Sequence, residues 1–171
     1  MKKVAFAISA LLVFCTIAPA QTRSRRTAKH PPAKTTTTSA TAAAAAVKTE
    51  GATRLATQIK NLSTFLYLVG GVVRGIEAID ASLKPGEPSP TNEKNKAQLR
   101  SSFSDFRVAL DALEVYFRST PELQPYYVKL AGTASGAADA EAQAKAGQFN
   151  QAGKSLLGVV GRLADVLVAM H

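Results

Sequence analysis

From Leu55 onward the apolar residues step by three and four, the period of a helix that buries one face. Leu55, Ile59, Leu62, Leu66, Val69, Val73, Ile76 and Leu83 form a first stripe. The segment Lys84-Pro85-Gly86-Glu87-Pro88-Ser89-Pro90 should end it, because prolines supply no amide donor to a helix. A second stripe follows at Leu99, Phe103, Phe106, Leu110, Leu113 and Phe117. It stops at Ser119-Thr120-Pro121, where a capping hydroxyl precedes a proline suited to the first helical position. The third stripe is weaker: Leu123, Tyr127 and Leu130 lead into an alanine-rich stretch through Ala146, with Pro125 delaying the start by a turn. Gly147 is expected as a left-handed C-cap. Phe149, Ala152, Leu156, Val160, Leu163, Leu167 and Met170 then make a fourth stripe. Four helices with short connections predict an all-α domain over residues 48–171, built as an up-down-up-down four-helix bundle.

The first 47 residues carry no such stripe. Lys2 and Lys3, an apolar run from Val4 to Phe14, and Ala18-Pro19-Ala20 have the order of a secretory signal cleaved after Ala20. That run is too short for a transmembrane span, and no comparable run of about 20 apolar residues is read further on, so no transmembrane segment is expected. Cys15 offers a minor alternative, a lipoprotein acylated there, although the bulky Phe14 before it departs from the small residue such signals carry. Cleavage at Ala20 leaves no cysteine, and the fold of an exported chain then rests on packing without disulfides. Residues 21–47, rich in Thr, Ala and Pro, read as a disordered linker, with the alanines of 42–46 able to extend the first helix backwards.

Charge sharpens this division. The formal net charge is +9, yet fourteen of the 21 basic residues and all 12 acidic ones lie from Lys48 onward. The excess sits in the linker, where Arg23, Arg25, Arg26, Lys29 and Lys34 have no acid among them. They read as a solvated spacer or as an electrostatic contact with an anionic lipid or polymer of the cell envelope. No nucleic-acid partner is expected, since no aromatic residue interleaves with these cations.

The hairpin AKAGQFNQAGKSL, Ala144 to Leu156, resembles the helix turns of tetratricopeptide repeats and of cytochrome-b562-like bundles. No 34-residue repeat recurs, and the haem ligands of such a cytochrome are missing: the first helix has no methionine, and the only domain histidine is His171. No catalytic residue, metal site or cofactor is expected, because the ionisable groups pair locally: Arg74 with Glu77, Arg107 with Asp111, Glu114 with Arg118, Arg162 with Asp165. Asp80 is placed at the rim, with Ile79 taking the inward position.

Two groups of candidate residues remain. Gly71 and Gly75 in the first helix and Gly158 and Gly161 in the last are expected to let two backbones approach closely, with a gap for a ligand as the alternative. Tyr116, Arg118, Tyr126, Tyr127 and His171 are expected at the end of the bundle where the linker enters, as a contact surface or as closure of the core. The function expected is a non-enzymatic envelope module that binds a protein or an anionic envelope polymer or lipid surface. A small-molecule or haem carrier with a cavity between the helices is the alternative.

Overall fold

The computed structural model describes residues 36–84 and 89–171, which belong to one compact unit. The signal, Cys15 and the basic cluster Arg23, Arg25, Arg26, Lys29 and Lys34 lie outside the described residues. Five α-helices follow in order, with no strand among the described residues: α1 Thr36–Ser82, α2 Pro90–Ser119, α3 Gln124–Leu130, α4 Thr133–Lys145 and α5 Phe149–Ala169. A 3-10 turn, Pro121–Leu123, precedes α3. Helix α1 packs on α2 and α5, α2 on α4, and α4 on α5, while α3 lies against α2 and α5.

Helix α1 corrects the expected boundary of the linker. It spans 47 residues, about 70 Å at 1.5 Å per residue. Alanine is the best helix former, and the run Ala42–Ala46 carries the helix back to Thr36. Residues 40–46 are exposed, whereas Val47 is half-buried and Gly51 and Leu55 are buried, so the core stripe begins two turns before Leu55. Within 40–82 the most apolar 18-residue stretch has mean hydropathy 1.4 and is 22% buried, long and apolar enough to cross a membrane by length and composition. This differs from the expectation of no such run, because Gly70, Gly71 and Gly75 interrupt its valines. Its inner face, Leu55, Leu62, Val69, Val73 and Ile76, is committed to the protein core.

The helix ends follow local chemistry. Ser89 caps α2, its Oγ accepting from the Asn92 amide at 3.4 Å, with Pro90 at the first position where no amide bond is lost. Thr120 does not cap forward as its sequence suggested; its hydroxyl donates back to the Tyr116 carbonyl at 2.7 Å. The expected third helix is broken in two. Gly132 takes φ 91°, a left-handed conformation open to glycine at little cost, and ends α3 after Leu130. Gly147, at φ 79°, closes α4 as expected: the Gln148 amide donates to the Gln143 carbonyl and the Gly147 amide to Ala144.

The core is filled by Phe103, Phe117, Leu55, Leu62, Leu110, Leu123, Leu130, Leu156, Leu163 and Val166, all fully enclosed. Phe65 bridges two rings of α2, edge-on to Phe103 at 5.2 Å and tilted to Phe106 at 4.9 Å. On α5 the deepest positions include Val159 and Val166, and the expected Val160 and Leu167 sit half-buried beside them.

Candidate functional site

The tyrosines named from the sequence lie on α2 and α3, two helices that pack on each other. Tyr116 comes from the last turn and a half of α2, and Tyr126 and Tyr127 from α3; all three are half-buried against the core. The reversal between the helices is fixed by Leu123, which is fully buried, and by Gln124, whose Nε2 donates to the Arg118 carbonyl at 3.3 Å. Helix α1 supplies two cations that sequence reasoning passed over. The Arg54 guanidinium carbon lies 4.1 Å from the Tyr116 ring centroid, and Lys48 Nζ lies 5.8 Å from that of Tyr126. Both are cation–π contacts. Starting the α1 stripe at Val47 rather than Leu55 would have revealed them, because Lys48 and Arg54 then flank the buried Gly51. Arg118 and His171 are exposed.

A cleft of about 650 Å³ lies at the other end of α1, lined by residues of α1, α2 and the start of α5. Asn92 is fully buried beside it, donating to the Ile76 carbonyl at 3.2 Å and to Asp80 at 2.6 Å, while its Oδ1 has no partner. Lys96 sits between Asp80, at 3.0 Å, and Glu93, at 3.1 Å. The Lys96 hydrogen bond, helped by Asn92, holds the Asp80 carboxyl below its ordinary range against the opposing effect of desolvation. The Asp80 bond likewise raises the Lys96 ammonium above its ordinary value. The contribution of Asp80 to stability is therefore present above the ordinary carboxyl range and lost as pH falls through the lowered value. That of Lys96 is lost only as pH rises through the raised one. This group joins the ends of α1 and α2 across the proline-rich connection. Asp80 thus stands at the rim as expected, and Glu77 pins the start of α5, accepting from Asn150 Nδ2 at 2.8 Å.

Several acidic residues reach across helices. None of the four expected local pairs forms among the described residues. Arg107 instead meets Glu141 of α4 at 2.7 Å, and Lys145 meets the other oxygen at 2.7 Å. The Glu141 side chain is 10% exposed. Its carboxyl is held low first by the Lys145 hydrogen bond and further by Ser104 and Arg107. Glu114 of α2 serves the start of α4, where Gly132 has no side chain to cap the helix. Its Oε1 accepts from the buried Thr133 hydroxyl at 2.9 Å and from the Ala134 amide at 2.8 Å. Glu114→Ala is expected to destabilise the fold by about 1–2 kcal/mol, the loss of a cap and of a charged acceptor. Urea unfolding measures it, and a change within 0.5 kcal/mol, about the scatter of ordinary surface substitutions, would remove this role.

The glycine expectation is overturned. A Cβ added at Gly71, Gly75, Gly158 or Gly161 meets nothing within 4 Å, because all four lie on outward faces of α1 and α5. The tight positions are others: at Gly51 a Cβ would stand 2.9 Å from Leu123 Cδ2 and 3.2 Å from Met170 Cε, and at Gly136 2.9 Å from Val159 Cγ2. Gly70 and Gly153 do open space, lining an outward groove of about 510 Å³ between α1 and α5.

Among the described residues no group of three or more His, Cys, Asp or Glu is placed to hold a metal ion. These features define a helical protein whose charged groups cap and cross-link its helices. Comparison with family models, with curated proteins and with solved structures finds no match to this chain.

Proposed function

We propose that the chain is an exported, non-enzymatic envelope module: an up-down-up-down four-helix bundle on a basic N-terminal arm. Its tyrosine-bearing end faces a protein or an anionic envelope surface. The observation that carries this reading is the continuity of α1, which starts two residues after Lys34 and runs unbroken to the cations that cover Tyr116 and Tyr126. Residues 36–46, of which 40–46 are exposed, amount to about 16 Å of helix before the body. Such a rod keeps attached charge at a set distance from the tyrosines, which an unstructured linker would not do. The bundle reading is supported by the closed cycle of neighbours α1, α2, α4 and α5, with α3 and α4 together forming the third leg.

Deleting residues 23–34 is expected to weaken association with native envelopes strongly at low salt and little at high salt, since salt screens exposed charges. Tyr126→Ala is expected to weaken it at both. If neither change alters association across that salt range, the tyrosine end is only the closure of the core. The carrier reading draws on the groove that Gly70 and Gly153 open; a ligand retained through purification, seen by native mass spectrometry, would favour it.

A further inference from the structure

Helix α1 turns a second apolar surface outward, away from the tyrosine end. Tyr67 is 85% exposed, Leu68 58% and Val72 41%, and Leu157 of the neighbouring α5 is 61% exposed. Gly71 and Gly75 leave the ridge between them bare of side chains. Shallow grooves flank this ridge on both sides, one shared with α2 around Phe65 and Leu99, the other shared with α5 around Gly70 and Leu157. The exposed apolar residues of the patch come from α1 and α5, and Asn95, Gln98 and Ser102 of α2 border it on the other side. Contiguous apolar surface of this kind on a folded domain marks a contact site.

Charge decides what it contacts. From residue 51 to 76 α1 contains no acid, and its charges there are Arg54, Lys60 and Arg74. Lys60 and Arg74 are exposed beside the patch, and Lys154 of α5 lines its groove. Glu77, the acid that ends this stretch, already accepts from Asn150. A second copy of the chain is a less favourable occupant, because a two-fold contact would set Lys60 and Arg74 of both copies around one interface with Glu77 as the nearest acid of α1. An anionic bilayer surface fits both features: apolar side chains enter the headgroup boundary while lysines and arginines reach phosphates. Tyr67 joins an apolar ring to a polar tip, the combination favoured at that boundary. Because its inner face is held in the core, α1 would lie along the surface rather than cross it.

We propose that the Tyr67–Leu68–Val72 face of α1, with Leu157 of α5 and the cations Lys60, Arg74 and Lys154, docks the protein on an anionic lipid surface. The inference does not rest on the tyrosine end, and the two surfaces fail separately in the test.

The full chain carrying Cys15→Ser and Gly71→Cys is labelled with an environment-sensitive fluorophore, with Ala138→Cys on the exposed side of α4 as the control. Phosphatidylethanolamine vesicles containing phosphatidylglycerol should blue-shift the label at 71 and leave that at 138 unchanged, and phosphatidylcholine vesicles should give little shift. Leu68→Ser with Val72→Ser should lower partitioning about tenfold or more, while Lys60→Gln and Arg74→Gln should each lower it about fivefold. These positions are exposed, so an unchanged melting curve confirms that the variants fold. Deleting residues 23–34 should leave the shift at 71 in place at saturating lipid. A label at 71 that stays in water while the protein sediments with the vesicles would overturn the proposal, as would equal shifts on both lipids. A shift that grows with protein concentration without vesicles would instead assign the face to a second copy.

Discussion

Replacing Phe103 with alanine is expected to cost about 3–5 kcal/mol of stability, the range for deleting a fully enclosed ring. Phe103 is fully buried midway along α2, and Phe65 of α1 stands edge-on to it at 5.2 Å, so the substitution removes both the ring and the α1 contact. Phe106, three residues on, is half-buried and meets Phe65 in a tilted contact. Its replacement with alanine should cost less, about 1–2 kcal/mol. The sequence places both rings on one stripe and does not distinguish them; the structure ranks them. Guanidinium unfolding of the two variants decides the matter, and equal losses would mean that α2 is rotated from the register described here.

The second large effect separates two kinds of glycine. Gly136→Leu should destabilise by about 1–3 kcal/mol or more, because even the first added carbon lies 2.9 Å from Val159 Cγ2. Val159 is β-branched, stiff and buried in the contact between α4 and α5, and so yields little. Gly71→Ala and Gly158→Ala should do the opposite and stabilise by about 0.5–1 kcal/mol each, since the methyl groups meet nothing and alanine is the better helix former. Melting temperatures should therefore move in opposite directions for the two sets. A loss of stability at 71 and 158 would restore the close contact the sequence suggested there.

The helices and most of their ends were legible because the signals are local. Periodicity, the Ser89-Pro90 start and the Gly147 cap each act within a turn or two of backbone. The start of α1 was misplaced because residues 36–46 carry no apolar stripe in the sequence, and helix propensity alone carries the helix there. The break at Gly132 was missed because one glycine within an alanine-rich run shows no more than a weak helix former until its φ is known. Of the candidate surfaces, the half-burial of Tyr116 and Tyr127 follows the helical stripes on or beside which they stand. The cations over Tyr116 and Tyr126 could not be read, once the first stripe had been started too late.

The sequence by itself determined that this is a helical chain with a strongly basic segment ahead of its helices, because hydrophobic period and charge are properties of position along the chain. The tertiary structure alone decided which glycines are tight, that Glu114 caps α4 and Glu141 joins Arg107 to Lys145, and that Tyr67, Leu68 and Val72 face outward. Those facts depend on which helix faces meet. A stripe defines one face of a helix, but the neighbour's position determines how far around the helix burial extends and which polar groups come within hydrogen-bonding reach.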